Sequence, residues 1–283
     1  MTPRAAWVER LPALLRTLLD EWGLEPDGEP LHGHCSVVLP VRTGSDVAAL
    51  KVGFPDDRSE HEHLALQHWH GEGAVRLLRA DPRRRALLLE RAGPEDLTTV
   101  DDGEACEVVA AAYSRLHRAP LPQLRFVPTL LDRWVEQLGS VPRGAPVPHR
   151  MVEHATSIAR AFRGDPDGEV RLLHGNLHQA QVLRGDREPW LVTDPAPLNG
   201  DPHFEPAPML WSRWGEVVAS GDVRGTVRQR FFTLVDTALL DEDRARDWVV
   251  LRVVLNAVRE LDEPTPDRDW ITTNIAVAKA VQG

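Results

Sequence analysis

The two hydrophobic periodicities occupy different parts of this chain, and that segregation limits the fold more than any other feature. Between Leu31 and Glu90 most apolar residues fall in short, strand-like runs bounded by turn residues. Ser36–Val41 and Val47–Val52 flank the turn Thr43-Gly44-Ser45-Asp46, and Val75–Ala80 and Ala86–Glu90 flank Asp81-Pro82. Elsewhere, and between the two strand pairs, the 3.6-residue period dominates. It predicts helices over Pro3–Trp22, Arg58–Trp69, Glu104–His117, Pro128–Leu138, Met151–Phe162, Val223–Leu240, Glu242–Leu261 and Asp269–Val281. One exception lies within Val170–Val192, where short apolar runs border loops dense in His, Asn and Asp. Strands gathered at one end and helices at the other predict an α+β chain, not alternating βαβ units.

Composition narrows the function classes. A net charge of −10 argues against a nucleic-acid partner, whose phosphates select basic surfaces. No apolar run reaches membrane-spanning length and no basic-then-apolar leader is visible, which predicts a cytoplasmic protein without a membrane partner. Two cysteines, Cys35 and Cys106, supply neither a disulfide framework nor a thiolate metal site. The acidity is uneven: residues 1–92 hold 14 acidic and 12 basic groups, and the remainder holds 29 and 21. An acidic second half suits a cationic small molecule, with Asp241-Glu242-Asp243 and Asp262-Glu263 as candidate contacts. Helix N-terminal charge on a solvated face accounts for the same residues. Trp211, Trp214 and Trp270 are open to two readings as well, a ligand wall or core.

Of the 33 basic residues 31 are Arg, and the two lysines are Lys51 and Lys279. Lys51 sits in the apolar run Val47-Ala48-Ala49-Leu50-Lys51-Val52, where it is either a chemical group or a snorkelling strand end. Two loops look chemical too. One is His174-Gly175-Asn176-Leu177-His178-Gln179-Ala180-Gln181; the other starts at Thr193-Asp194-Pro195 and runs to Asp201-Pro202. Carboxylate and amide oxygens after short strands suit a hard cation with phosphate oxygens, Mg²⁺ being the type case. His174 and His178 at i, i+4 could start a zinc site, but no third ligand is evident.

These loops, with Lys51 and stretches such as Leu87-Leu88-Leu89-Glu90-Arg91, Arg115-Leu116-His117-Arg118 and Arg187-Glu188-Pro189-Trp190-Leu191, resemble antibiotic phosphotransferases of the aminoglycoside-kinase type. The resemblance is to the branch that phosphorylates streptomycin and hydroxyurea, and it runs essentially end to end. It implies a two-lobed, protein-kinase-like α+β fold: a β-rich lobe over 1–92, a hinge near Glu90, and a helical lobe over 93–283. It also implies ATP and Mg²⁺ as cofactors and a small-molecule hydroxyl acceptor. By the same resemblance Lys51 holds nucleotide phosphates, Glu62 pairs with it (Glu60 being another register), and Gly33-His34-Cys35-Ser36 covers the phosphates. Glu90 and Ala92 would meet the adenine, Asp194 would hold Mg²⁺, and His174 would prop the catalytic loop.

The departures cluster in that loop. Asn176 stands where the family carries the aspartate that takes the acceptor's proton, and Gln181 where it carries a metal-binding Asn. Gln179, Ala180, Ala196 and the pair Glu205-Pro206 depart as well, while Asp201 is retained. A further reading keeps nucleotide binding for a different reaction on a natural-product substrate, with a new polar group such as His178, Asp201 or Glu205 at the acceptor. The residues therefore support an impaired phosphotransferase, or alternatively a pseudokinase that binds a ligand, a nucleotide or a protein partner without turnover.

Overall fold

The computed structural model describes residues 3–33, 35–165 and 168–283. In chain order the first half holds α1 (Pro3–Trp22), β1 (Glu25–Pro26), β2 (Leu31–His32), β3 (Ser36–Thr43), β4 (Asp46–Gly53), α2 (Glu62–Trp69), β5 (Leu77–Asp81) and β6 (Ala86–Glu90). There follow α3 (Asp102–Leu116), α4 (Val127–Gly139), α5 (His149–Arg163), β7 (Arg171–Leu173), β8 (Val182–Arg184), β9 (Trp190–Val192) and β10 (Leu198–Gly200). Five helices close the chain: α6 (Ala207–Trp211), α7 (Trp214–Ala219), α8 (Val223–Ala238), α9 (Glu242–Glu260) and α10 (Arg268–Gln282).

Two compact units result, Met1–Glu95 with Leu183–Ala196, and Asp96–Val182 with Pro197–Gly283. In the first, the sheet runs β1-β3-β4-β6-β5, with β2 also on β3, and every pairing is antiparallel. Side chains alternate between faces of a strand. Val37, Leu39 and Val41 of β3, with Ala48, Leu50 and Val52 of β4, pack into one core with Trp7, Leu11, Leu18 and Trp22 of α1. Lys51, between Leu50 and Val52, therefore points to the opposite face, with β3 on one side and β6 on the other.

The first unit differs from a simple division after residue 92. It continues to Glu95 and takes in Leu183–Ala196, because the backbone of that segment bonds there. Val75 N–H donates to Val192 O at 3.0 Å, Val192 N–H to Gly73 O at 2.9 Å, and Arg184 N–H to Glu95 O at 2.8 Å. Helix α2 begins at Glu62, four residues later than its periodicity suggests. Asp56 accepts from the N–H groups of Arg58 and Ser59, and Ser59 Oγ donates to Phe54 O, so that stretch is spent on a turn.

The second unit is helical around a short buried pair, β10 with β7, in which Leu198 lies opposite Leu173. Helices α3, α8, α9 and α10 each start on an Asp whose carboxylate accepts from first-turn N–H groups. The short helices α6 and α7 escape the periodicity reading, because Pro202, Pro206 and Pro208 mask five- and six-residue elements. Among the described residues no helix is long and apolar enough to cross a membrane.

Leu50, fully buried in the first unit's core, gives a direct test of that packing. Leu50→Ala is expected to cost about 2–5 kcal/mol by urea denaturation, and the exposed neighbour Val47→Ala less than about 0.5 kcal/mol. Equal costs at the two positions would contradict the face assignment.

Candidate active site

In the first unit, strand β4 delivers Lys51 to a buried face where α2 presents Glu62. Lys51 Nζ donates to Glu62 Oε1 at 2.6 Å, and both side chains are almost wholly buried. Its second partner is Asp194, just beyond β9, whose side chain is 54% exposed. Asp194 holds its backbone at φ +55°, in the left-handed region that Asp tolerates better than most residues. Burial on its own would depress the Lys51 ammonium, but Glu62 and Asp194 outweigh it and raise its pKa above the ordinary lysine range. The cost of burial falls on Glu62. Desolvation, with repulsion from Asp194, outweighs the pull of Lys51 and pushes its carboxyl up to about 7. Glu60 is instead a surface partner of Arg85, at 3.6 Å.

Ser36 opens β3 opposite Gly53, and Gly33 N–H closes the turn before it on Ser36 O at 2.9 Å. Of the expected phosphate-covering loop, His34 lies outside the described residues. Glu90 has a second job that the sequence did not reveal. Its carboxylate accepts from Arg187 Nε at 2.8 Å and from Arg76 N–H at 2.9 Å, and Arg187 also donates to Ala74 O at 2.6 Å. The side chain of Glu90 therefore anchors the β8–β9 hairpin that leads to Asp194, and its backbone N–H donates to Arg76 O at 2.9 Å. Ala92 lies two residues further on, half-buried.

In the second unit, β7 leads straight into His174, which is fully buried. Glu205 Oε1 accepts from His174 N–H at 2.6 Å and from Gly175 N–H at 3.2 Å. From the next peptide along, Gly175 O accepts from Arg252, which also donates to Phe204 O, and the guanidinium lies 4.1 Å from the Phe204 ring centre. Gly175 takes φ +78°, which a Cβ would oppose. Burial would raise the Glu205 carboxyl, but His117, His174 and Arg252 hold it below the usual range, so it stays ionised. Asn176, next along, is half-buried; its N–H donates to His174 Nδ1 at 3.3 Å. Among the described residues its side-chain amide has no hydrogen-bond partner.

The altered residues after Asn176 are built in. Gln179–Gln181 forms a 3-10 turn, and the fully buried Gln179 accepts from Ser212 Oγ and donates to Asp102 Oδ1 at 3.4 Å. Asp102 in turn accepts from the buried Arg230 at 2.6 Å. Gln181 itself is buried at 6% exposure. Two of the three further polar candidates hold neighbouring groups. Asp201 accepts from Trp248 Nε1 at 3.0 Å, from His203 and from Arg244, and Glu205 holds the loop backbone from inside. His178 remains half-buried beside the 3-10 turn.

The acidic candidates resolve unevenly. Asp241 caps α9, and Glu242 and Asp243 both pair with Arg246, whereas Asp262 and Glu263 stay exposed. Trp211 and Trp270 meet edge to face at 5.6 Å, both half-buried, and Arg252 lies 5.3 Å from the Trp211 ring. Trp214 starts α7. Among the described residues no three His, Cys, Asp or Glu side chains gather as a metal cage. A Mg²⁺ ion that takes most of its ligands from phosphates and water needs only one or two protein oxygens, and the half-exposed Asp194 carboxylate fits that requirement. The signals that sequence reasoning lacked were Arg252, Arg187 and Gln179, whose roles depend on partners 77, 97 and 33 residues away.

The model of the aminoglycoside/hydroxyurea antibiotic resistance kinases matches residues 21–263. The chain is 37% identical to a streptomycin 6-kinase of Streptomyces glaucescens, over 98% of this chain and 91% of that one. It is 36% identical to a hydroxyurea phosphotransferase of Kitasatospora aureofaciens, over 97% and 81%. Among solved structures it resembles the aminoglycoside phosphotransferase APH(4)-Ia in a ternary complex with AMP-PNP and hygromycin B, at a TM-score of 0.67 and 14% identity, covering 94% of this chain and 96% of that one. Choline kinase LicA of Streptococcus pneumoniae matches at 0.64 and 12%, covering 96% and 99%. The fold is accordingly the expected two-lobed, protein-kinase-like α+β class.

Glu62 makes the stability of the chain depend on pH. Its folded pKa of about 7 lies above the ordinary value of 4.5, so folding takes up a proton between those limits and stability falls as pH rises through them. Glu62→Gln is expected to flatten the urea midpoint across that window, and an unchanged slope would place the proton uptake elsewhere. Removing the second buried carboxylate acts on the loop: Glu205→Ala strands two buried N–H groups and is expected to cost about 3–5 kcal/mol. A cost below about 1 kcal/mol would mean that other contacts hold the loop.

Proposed function

The chain belongs to the aminoglycoside/hydroxyurea antibiotic resistance kinases, and from that membership we propose that it transfers the γ-phosphoryl group of ATP to a hydroxyl of a small molecule. The observation that carries this reading is the buried Lys51 ammonium held by Glu62 and Asp194. A buried lysine with two carboxylates, one of them the half-exposed Asp194, suits contact with phosphate oxygens, and Asp194 is the group to hold Mg²⁺. The ion, when bound, neutralises charge on the β- and γ-phosphates. Backbone groups at Glu90–Ala92 would receive the purine, and Ser36 would lie beneath the phosphates.

On the acceptor side, His174 and its supports at Glu205 and Arg252 fix the peptide that precedes Asn176. An amide at that position orients an acceptor oxygen but does not take its proton, and losing a positioned base costs on the order of 10²–10⁴ in rate. Transfer proceeds through a loose transition state in which positioning and charge neutralisation dominate, so turnover survives at a reduced rate. The acidic second unit favours a cationic acceptor, as the aminoglycoside named for APH(4)-Ia would be. A second reading is favoured by the same residue: with Asn176 in the loop, the chain could hold nucleotide without turnover.

Thermal unfolding with and without MgATP, with Asp194→Asn beside the parent chain, tests the nucleotide half. Ligand at about 100 times its Kd adds roughly 2.7 kcal/mol of stability. A magnesium-dependent rise in Tm that disappears in the variant is expected; no rise at millimolar MgATP would sink both readings that rest on the nucleotide.

A further inference from the structure

We propose that Arg187, seven residues before Asp194 in the chain, is the positioning residue that fixes this carboxylate for Mg²⁺. The inference rests on the phosphotransferase reading and draws on the first unit alone. Arg187 lies in the turn between β8 and β9. Its Nε donates to Glu90 Oε1 at 2.8 Å and to Oε2 at 3.1 Å, and its Nη2 to Glu90 Oε2 at 3.0 Å and to Ala74 O at 2.6 Å. Nη1 donates to Glu188. A guanidinium held by a carboxylate fork and a backbone carbonyl at once has a fixed direction.

Ala74 carries that direction to Asp194. Its carbonyl and the N–H of Val75 belong to one trans peptide, in which the two groups point opposite ways. Arg187 holds the carbonyl, and Val192 O accepts from the N–H at 3.0 Å. Val192 N–H donates in turn to Gly73 O at 2.9 Å, and Asp194 lies two residues further on, at φ +55°. Glu90 grips the same segment from the sheet: its carboxylate accepts from Arg76 N–H, and its own N–H donates to Arg76 O, each at 2.9 Å. Further backbone ties, Gly93 N–H to Arg184 O at 2.6 Å and Arg184 N–H to Glu95 O at 2.8 Å, lie at the other end of the hairpin. Residues 73–75 are therefore the seat of the chain just before Asp194, and Arg187 clamps that seat against Val192. Mg²⁺ demands near-ideal octahedral geometry, whereas the three rotatable donors of a lysine accept a carboxylate over a wider range of directions. A loosened Asp194 would keep Lys51 and lose the metal.

Arg187→Lys keeps the charge but not the planar fork that spans Glu90 and Ala74, and Arg187→Gln removes both. The full chain and the two variants are titrated calorimetrically with ATP, in excess Mg²⁺ and in EDTA, and amide hydrogen exchange is followed without ligand. Both variants are expected to raise the Kd for MgATP by about 10- to 100-fold, the usual effect of removing a group that orients a metal ligand, and to move the Kd in EDTA by less than about threefold. The amides of Val75 and Val192 are expected to exchange faster, while those of β3 and β4 keep their parent rates. The inference is overturned if the two Kd values rise together, if the MgATP value does not move, or if Val75 and Val192 exchange as in the parent. Loss of protection throughout β3 and β4 in both variants overturns it too, since Arg187 would then hold the whole unit. A parent chain that binds ATP no better with Mg²⁺ than in EDTA removes the phosphotransferase reading itself. That result comes from the parent alone, so the two failures stay distinct.

Discussion

A single ammonium group, Lys51 Nζ, joins three separate pieces of this chain. Its carboxylate partners lie 11 and 143 residues away, one on a helix and one beyond a hairpin. Taking the ammonium out of water with Glu62 is costly, and the close contact between them offsets that cost only while both partners are present. The strand, the helix and the hairpin must therefore all be in register for the group to exist as observed. The rest of the first unit serves that requirement. Leu50 and Val52 fix the strand from the opposite face, and the Glu90–Arg187 contact fixes the hairpin that leads to Asp194.

The second unit treats its loop in an equivalent way, through the peptide bond and not through a side chain. Glu205 takes the N–H groups at one side of residue 175 and Arg252 takes the carbonyl at the other. The consecutive peptides on both sides of residue 175 are thus held, so the residue that follows is aimed by groups far away in sequence. The unusual residues further along the loop are not slack. Gln179 sits in a buried polar network with Ser212, Asp102 and Arg230, and a half-satisfied network of that kind would be worse than an apolar one. A loop eroding without constraint would not be expected to keep all four members satisfied, which weighs against simple decay.

Much of this was legible from residue order because it depends on local chemistry. Short apolar runs between turn residues placed β3, β4 and β6, the 3.6-residue period placed the long helices, and one lysine in an arginine-rich chain marked the strand that matters. The first turn of α2 was misjudged, because the Asp56 and Ser59 side chains compete for the backbone and periodicity does not register that competition. The assignment of Leu183–Ala196 to the first unit was not legible either, since it rests on backbone bonds to residues 73, 75 and 95 that carry no side-chain signature. Arg187 and Arg252 look like any other members of an arginine-rich composition until their partners are known. Asp201 and Glu205 could pass for spare polar groups in the sequence; only their contacts show that both are already engaged.

The hairpin between Leu183 and Ala196 also bears on how the protein is made. The chain leaves the first unit at Glu95, returns to it once, and leaves again. A nascent chain that has just exposed Lys51 has Glu62 at hand almost at once, but Asp194 is 143 residues from emerging. At ~5–20 residues per second that interval is on the order of ten seconds. Through it the first unit stands with one carboxylate of two and without its last strands, so its closure has to wait until most of the second unit's sequence is already outside the ribosome.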